Sequence, residues 1–159
     1  MIFGLISGFF LNKILVAAID FAAIFLAFII YKDNPKKEVN RIYLLMTVMM
    51  MTWVNFAYIP RIIGKEYHDL GLVLLRAAWF ATPIFFSLLY LLMIYLLGYE
   101  KQNKRLNILI VFLGVALGLV SGLSDLVVKS FYFIGDVVHI EYGSFMYPFL
   151  GIVSFFILA

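Results

Sequence analysis

The chain contains no cysteine, only four prolines, and little charge: 13% of its residues are Asp, Glu, Lys or Arg. The missing cysteines exclude disulfides, thiolate metal sites and cysteine nucleophiles, and leave the redox compartment undecided. Soluble domains carry about 25% charged and 45–50% apolar residues. Here 65% are apolar and the mean hydropathy is +1.07. A soluble chain of 159 residues has too little interior to hide that much Leu, Ile, Phe and Met. The bilayer must be the solvent for most of it. The net charge of +3 lies mostly in two loops, so it argues orientation rather than nucleic-acid binding.

Apolar runs at residues 14–31, 42–60, 70–98, 106–123 and 143–159 are each long enough for a membrane helix, which needs roughly 17–25 residues. They lack the alternation of barrel strands. The expected fold is all-α: a single membrane domain over residues 1–159, built as a bundle of five transmembrane helices. The last run reaches the final residue, so the chain reads as a membrane domain cut off in or at the end of a fifth crossing. The first apolar residues precede Lys13 and carry no leading charge or cleavage pattern. They read as a lead-in or a helical extension of the first span.

The loop after span one holds Lys32, Lys36, Lys37 and Arg41, and the loop after span three holds Lys101, Lys104 and Arg105. The other two loops balance their bases with acids. Basic loops stay cytoplasmic. The expected location is a bacterial or archaeal cell membrane, multi-pass, with the N-terminus outside and the C-terminal end cytoplasmic. Residues 127–142 read VVKSFYFIGDVVHIEY, two β-rich runs around Gly135-Asp136. This predicts a short extracytoplasmic β-hairpin between helices four and five. An isolated hairpin is marginal in water, so it should pack on the outer helix ends. An amphipathic loop on the membrane surface is the competing reading.

Trp53 sits in MMMTWVNFAYI, and span three carries RAAWFATPIFFSLLYLLMIYLLG with Arg76 and Pro83. A basic loop follows, then Ser124-Asp125, the hairpin, and Tyr142-Gly143 before span five. This order resembles the N-terminal seven-transmembrane sensor region of bacterial histidine kinases and diguanylate cyclases, truncated at the fifth span. The resemblance implies a sensory input module of a two-component signal-transduction protein, passing ligand or membrane state to a cytoplasmic output domain. The alternatives are a small transporter or substrate-binding membrane subunit, and a purely structural membrane protein. No catalytic motif appears, so the fragment is read as a non-enzyme, and it calls for no cofactor or metal. His68 and His139 fall in separate outer loops, a poor basis for a metal site. The expected partners are the lipid bilayer, a second copy in a homodimer, and a small-molecule or lipid ligand of unread identity.

Charged groups within a span are the first candidates for function. Asp20 and Arg76 each lie about 9 Å below the outer edge on parallel spans, where an ion pair would spare both charges. Structural pairing, ligand gating and separate snorkelling remain open for them. Asp20, Trp53, Asn55, Arg76, Trp79 and Tyr147 would together line an outward-opening ligand pocket. For the aromatics, anchoring at the interface is the competing reading. Gly114, Gly118 and Gly122 repeat GxxxG along span four and predict close helix packing, inside the chain or between subunits. Pro83 removes a backbone donor from span three, and Thr82 is the nearby hydroxyl for the freed carbonyl.

Overall fold

The computed structural model describes residues 2–63, 65–102, 104–135 and 137–158, with side chains described from residue 14 to residue 156. Helix α1 spans Ile2–Asp33, α2 Glu38–Tyr58, α3 Pro60–Ile63, α4 His68–Leu96 and α5 Lys104–Leu123. Strands β1 (Val128–Ile134) and β2 (Val137–Tyr142) follow, then α6 (Met146–Leu158). The protein is thus mainly helical, with one two-stranded antiparallel sheet. Among the described residues, four helical segments are long and apolar enough to cross a membrane: 14–33, 38–63, 68–96 and 104–123.

The fifth apolar run differs from its expectation of residues 143–159. Gly143 lies outside the helix, and α6 holds 13 of the described residues, about 20 Å of helix against a hydrocarbon core of about 30 Å. The first run differs in the other direction. Its helix begins at Ile2, so the leading apolar segment is a helical extension. Span two is interrupted after Tyr58 and resumes at Pro60. Proline suits a first helical turn, where its missing N–H costs nothing.

Contacts order the long helices as α1, α2, α4, α5, with α6 leaning on α4 and α5. Helix α1 sits at the edge, and Ile14, Leu15, Phe21, Phe25 and Phe28 stay exposed on it. A helix apolar all round with so little protein against it is suited to lipid. Helix α4 is the spine, and buries Leu75, Ala78, Ala81, Ile84, Leu88 and Leu92. At one end of the bundle, Asn40 Nδ2 donates to the carbonyls of Ile30 (2.8 Å) and Asn34 (3.0 Å), closing α1 onto α2. The same end carries both lysine-rich loops, because Tyr95 near the end of α4 hydrogen-bonds Glu38 at the start of α2. We call it the basic end and the opposite one the hairpin end.

The α4–α5 seam answers the question left by the three glycines. A Cβ on Gly114 would lie 2.5 Å from Ser87 Oγ, one on Gly118 2.8 Å from the Phe80 carbonyl oxygen, and one on Gly122 2.9 Å from Phe80 Cβ. Their partner is α4 of the same chain. Pro83 lies on this seam and has no N–H for the carbonyl four residues back, that of Trp79. Thr82 does not serve it: its hydroxyl donates to Ala78 O at 3.0 Å. Ser121 of α5 does, with Oγ 2.9 Å from Trp79 O. The same hydroxyl lies 3.0 Å from Gly118 O, so its single proton serves one acceptor at a time.

The strands pair in the expected region. Ser130 faces Glu141 and Phe131 faces Ile140, with an irregularity between Val128 and Ser130. Gly135 takes φ +63°, a conformation that favours glycine, while Asp136 of the expected Gly-Asp turn lies outside the described residues. Val128 and Phe131 are buried against the bundle. Gly143 closes the base of the sheet. A Cβ there would stand 2.1 Å from Asp125 O, and its N–H donates to Val127 O.

Substitutions on the seam test this packing. Ser121→Ala should lower unfolding free energy in detergent by about 0.5–2 kcal/mol, the range of interhelical hydrogen bonds in membranes. Gly118→Val should cost about 1–3 kcal/mol through overpacking. Thermal unfolding followed by circular dichroism measures both, and unchanged midpoints would place the seam elsewhere.

Candidate functional site

The hairpin end is built around the first turns of α4. His68 opens that helix, its ring stacked on Phe131 with centroids 4.7 Å apart and its Nε2 2.9 Å from Phe131 O. Arg76, two turns on, reaches the same strand. Its Nε donates to Val128 O at 3.1 Å and its Nη2 to Lys129 O at 3.4 Å. A guanidinium is suited to this, because its planar fork can meet two neighbouring carbonyls at once. Trp79 lies one turn deeper and packs edge-on to Tyr142 of β2 and Phe149 of α6, at 6.1 and 5.8 Å. The hairpin, α6 and α4 thus meet over the residues that flank the Pro83 seam. Lys65 adds a cation over the Phe133 ring at 5.5 Å.

Arg76 and Asp20 therefore have separate partners and do not form the ion pair that is one of the readings open for them. Asp20, half-buried on α1, accepts a hydrogen bond from Asn55 Nδ2 on α2 at 2.8 Å. Asn55 also donates to Met51 O. The physical reason is competition for nearer partners. The hairpin brings the Val128 and Lys129 carbonyls within reach of Arg76 on α4, while α2 stands between α1 and α4 and offers Asp20 a nearer donor. The other candidates have separate surroundings. Trp53 packs on Phe85 and Phe86 of α4 at about 6 Å. Tyr147 is 85% exposed. A small crevice at the hairpin end, about 160 Å³, is lined by Val16, Val54, Ala57, Tyr58 and Arg61. None of Asp20, Trp53, Asn55, Arg76, Trp79 and Tyr147 lines it.

A larger groove opens at the basic end. It has a volume of about 670 Å³, with α4 as its floor and α2 and α5 as its walls. Glu38, Arg41, Tyr95, Glu100 and Lys104 stand at its charged mouth, and Ile108, Val111 and Phe112 continue it along α5. A second cavity of about 580 Å³ shares Glu38, Tyr95, Glu100 and Lys104. Asn107 fixes the loop beside the groove, donating to Glu100 O at 3.4 Å and lying 3.3 Å from the Tyr90 hydroxyl. Sequence reasoning missed this site because its charges were read only as orientation signals. The available signal was an acid, Glu100, set among the bases of a loop at a helix end.

On the solvent face of the hairpin, Lys129 Nζ lies 2.6 Å from Glu141 Oε1, and Ser130 Oγ donates to Oε2 at 2.9 Å. The Lys129 bond, then the Ser130 bond, hold the Glu141 carboxyl below its ordinary pKa. The same Glu141 bond raises Lys129. Glu141's contribution is therefore present above the ordinary carboxylate range and lost as pH falls through its lowered pKa. That of Lys129 is present below the ordinary lysine range and lost as pH rises through its raised pKa. The pair supports the hairpin across neutral pH and releases it at both extremes. Among the described residues, no group of three His, Asp or Glu side chains is placed to hold a metal.

Two measurements check the site. Arg76→Ala should speed amide exchange in β1 and β2 by about fivefold, about 1 kcal/mol, because the bonds are charge-assisted but half-exposed. Exchange unchanged in both strands would remove Arg76 as the clamp. In a carbon-detected NMR titration, the Glu141 midpoint should lie below that of an unpaired glutamate and rise in Lys129→Ala. An unmoved midpoint would exclude the pair in solution.

No family model matches this chain, and neither a curated protein nor a solved structure does.

Proposed function

We propose that the chain is a membrane-embedded sensory input module of a signal-transduction protein, with α4 as its transmitting element. The observation that carries this reading is the Arg76 clamp. It ties the hairpin to the one helix that packs against α2, α3, α5, α6 and β1. A shift of the hairpin acts on α4 through Arg76, His68 and Trp79, and α4 ends at the Tyr95–Glu38 contact on the other side of the bundle. Mechanistically this is a population shift between two arrangements of the hairpin and α4, biased by whatever binds one of them better. The resemblance to histidine-kinase and diguanylate-cyclase sensor regions supports the same reading. So does the charge pattern, which by the positive-inside rule favours the hairpin outside and the basic end in the cytoplasm; the bacterial or archaeal membrane follows from the resemblance.

The absence of cysteine makes a direct test simple. Spin labels on introduced cysteines at Val39 and Lys101 report the distance across the basic end in liposomes. Arg76→Ala should change that distance distribution, although the substitution lies at the other end. An unchanged distribution, with helix content intact, would contradict transmission through α4. Solute flux through the liposomes without any change at the basic end would favour a transporter instead. Cysteine labelling in right-side-out vesicles should modify Tyr132→Cys and spare Lys101→Cys from impermeant reagent, and the reverse would invert the orientation.

A further inference from the structure

The basic-end groove combines two chemistries that rarely meet in one place. Its deep part is an apolar channel along α5, and its mouth holds charges of both signs. From Lys104 to Phe112 the channel follows eight residues of helix, about 12 Å. Ile108 and Phe112 are 61% and 67% exposed, so this wall faces outward where lipid would lie. At the mouth, Glu100 Oε2 is buried and meets no hydrogen-bond donor. A buried acceptor left unpaired is costly, and it calls for a donor from a ligand or water. Lys104, four residues on, is exposed and makes no hydrogen bond or ion pair among the described residues. Arg41 uses its Nε and Nη2 on the carbonyls of Pro35 and Lys36, which fixes the guanidinium at the mouth with donors to spare. Tyr95 holds Glu38 beside them.

We propose that this groove binds one phospholipid bearing a phosphoethanolamine headgroup. Lys104 and Arg41 take the phosphate, Glu100 and Glu38 take the ammonium, and an acyl chain lies along Ile108, Val111 and Phe112. The Glu100 carboxylate, which lines the groove and turns its unpaired Oε2 toward the ligand, selects the headgroup. A primary ammonium brings three N–H donors to it, whereas a choline headgroup brings none. An anionic headgroup would satisfy Lys104 and Arg41 but set no positive charge against the two glutamates. The inference rests on the bilayer placement of the helices and not on the signalling role, so either can fail while the other stands.

The test is native mass spectrometry of the detergent-purified chain titrated with phosphatidylethanolamine, phosphatidylcholine or phosphatidylglycerol of identical acyl chains. One tightly held phosphatidylethanolamine is expected, about tenfold tighter than phosphatidylcholine, from a single charge-assisted hydrogen bond. Glu100→Gln should shrink that preference, weakening phosphatidylethanolamine more than phosphatidylcholine, whose quaternary ammonium loses only the attraction of the charge. Lys104→Ala should weaken all three lipids alike, since all carry phosphate. Soluble phosphoethanolamine should fail to compete at concentrations equal to the lipid. Equal affinity for the ethanolamine and choline lipids, tightest binding of phosphatidylglycerol, an unchanged preference in Glu100→Gln, or competition by soluble phosphoethanolamine would each overturn the proposal. Should Lys104→Ala not fold, the Glu100→Gln comparison decides alone, because that substitution keeps size and shape.

Discussion

The missing N–H of Pro83 is the constraint around which this bundle is arranged. In an apolar surrounding, the carbonyl of Trp79 cannot be left to water and needs a donor from another helix. Ser121 provides it at 2.9 Å, and it can do so only because α5 approaches closely. The close approach in turn requires the bare faces of Gly114, Gly118 and Gly122, where a Cβ would meet Ser87 or Phe80 within 3 Å. One absent hydrogen thus sets the distance, the facing residues and the register of α4 against α5.

What α4 carries at its two ends follows from that fixed centre. Its residue Trp79 presents its carbonyl to α5 and its ring to Tyr142 and Phe149, so the seam, the hairpin and α6 are joined at one position. Toward the hairpin, Arg76 and His68 hold β1 through its backbone carbonyls, contacts that accept many side chains in the strand while fixing its place. Toward the basic end, Tyr95 and Asn107 hold the mouth of an amphiphilic groove between α2 and α5. A rigid middle with polar contacts at both ends is the geometry that the proposed transmission along α4 requires.

The long helices were legible because length and apolarity alone identify a segment that water rejects. The hairpin was legible because Gly135 stands between two runs of β-branched and aromatic residues. Pairings were harder. Asp20 and Arg76 were level on parallel helices, yet depth does not say which neighbour is nearest, and Asn55 and the hairpin carbonyls intervened. Thr82 was adjacent to the freed carbonyl in sequence but bonded its own preceding turn at Ala78, as hydroxyls inside helices commonly do. The true donor, Ser121, is 42 residues from Trp79 and is identified only once the glycine seam brings α5 alongside. The basic-end groove was invisible for a related reason: Glu38 opens α2, Lys104 opens α5 and Glu100 lies in the connection between α4 and α5, so they acquire meaning only when α2 and α5 flank α4.

Isotope-edited infrared spectroscopy of the Trp79 carbonyl tests the central claim most directly. The chain has two tryptophans, so Trp53→Phe leaves a single carbonyl-labelled tryptophan in the bilayer-reconstituted protein. The labelled band should fall at the lowered frequency of a hydrogen-bonded carbonyl, although Pro83 offers it no partner within α4. It should rise to the free-carbonyl position in Ser121→Ala and stay in place in Thr82→Ala. A free-carbonyl band with Ser121 present, or one that moves with Thr82 and not with Ser121, would contradict an α4–α5 seam organised around Pro83.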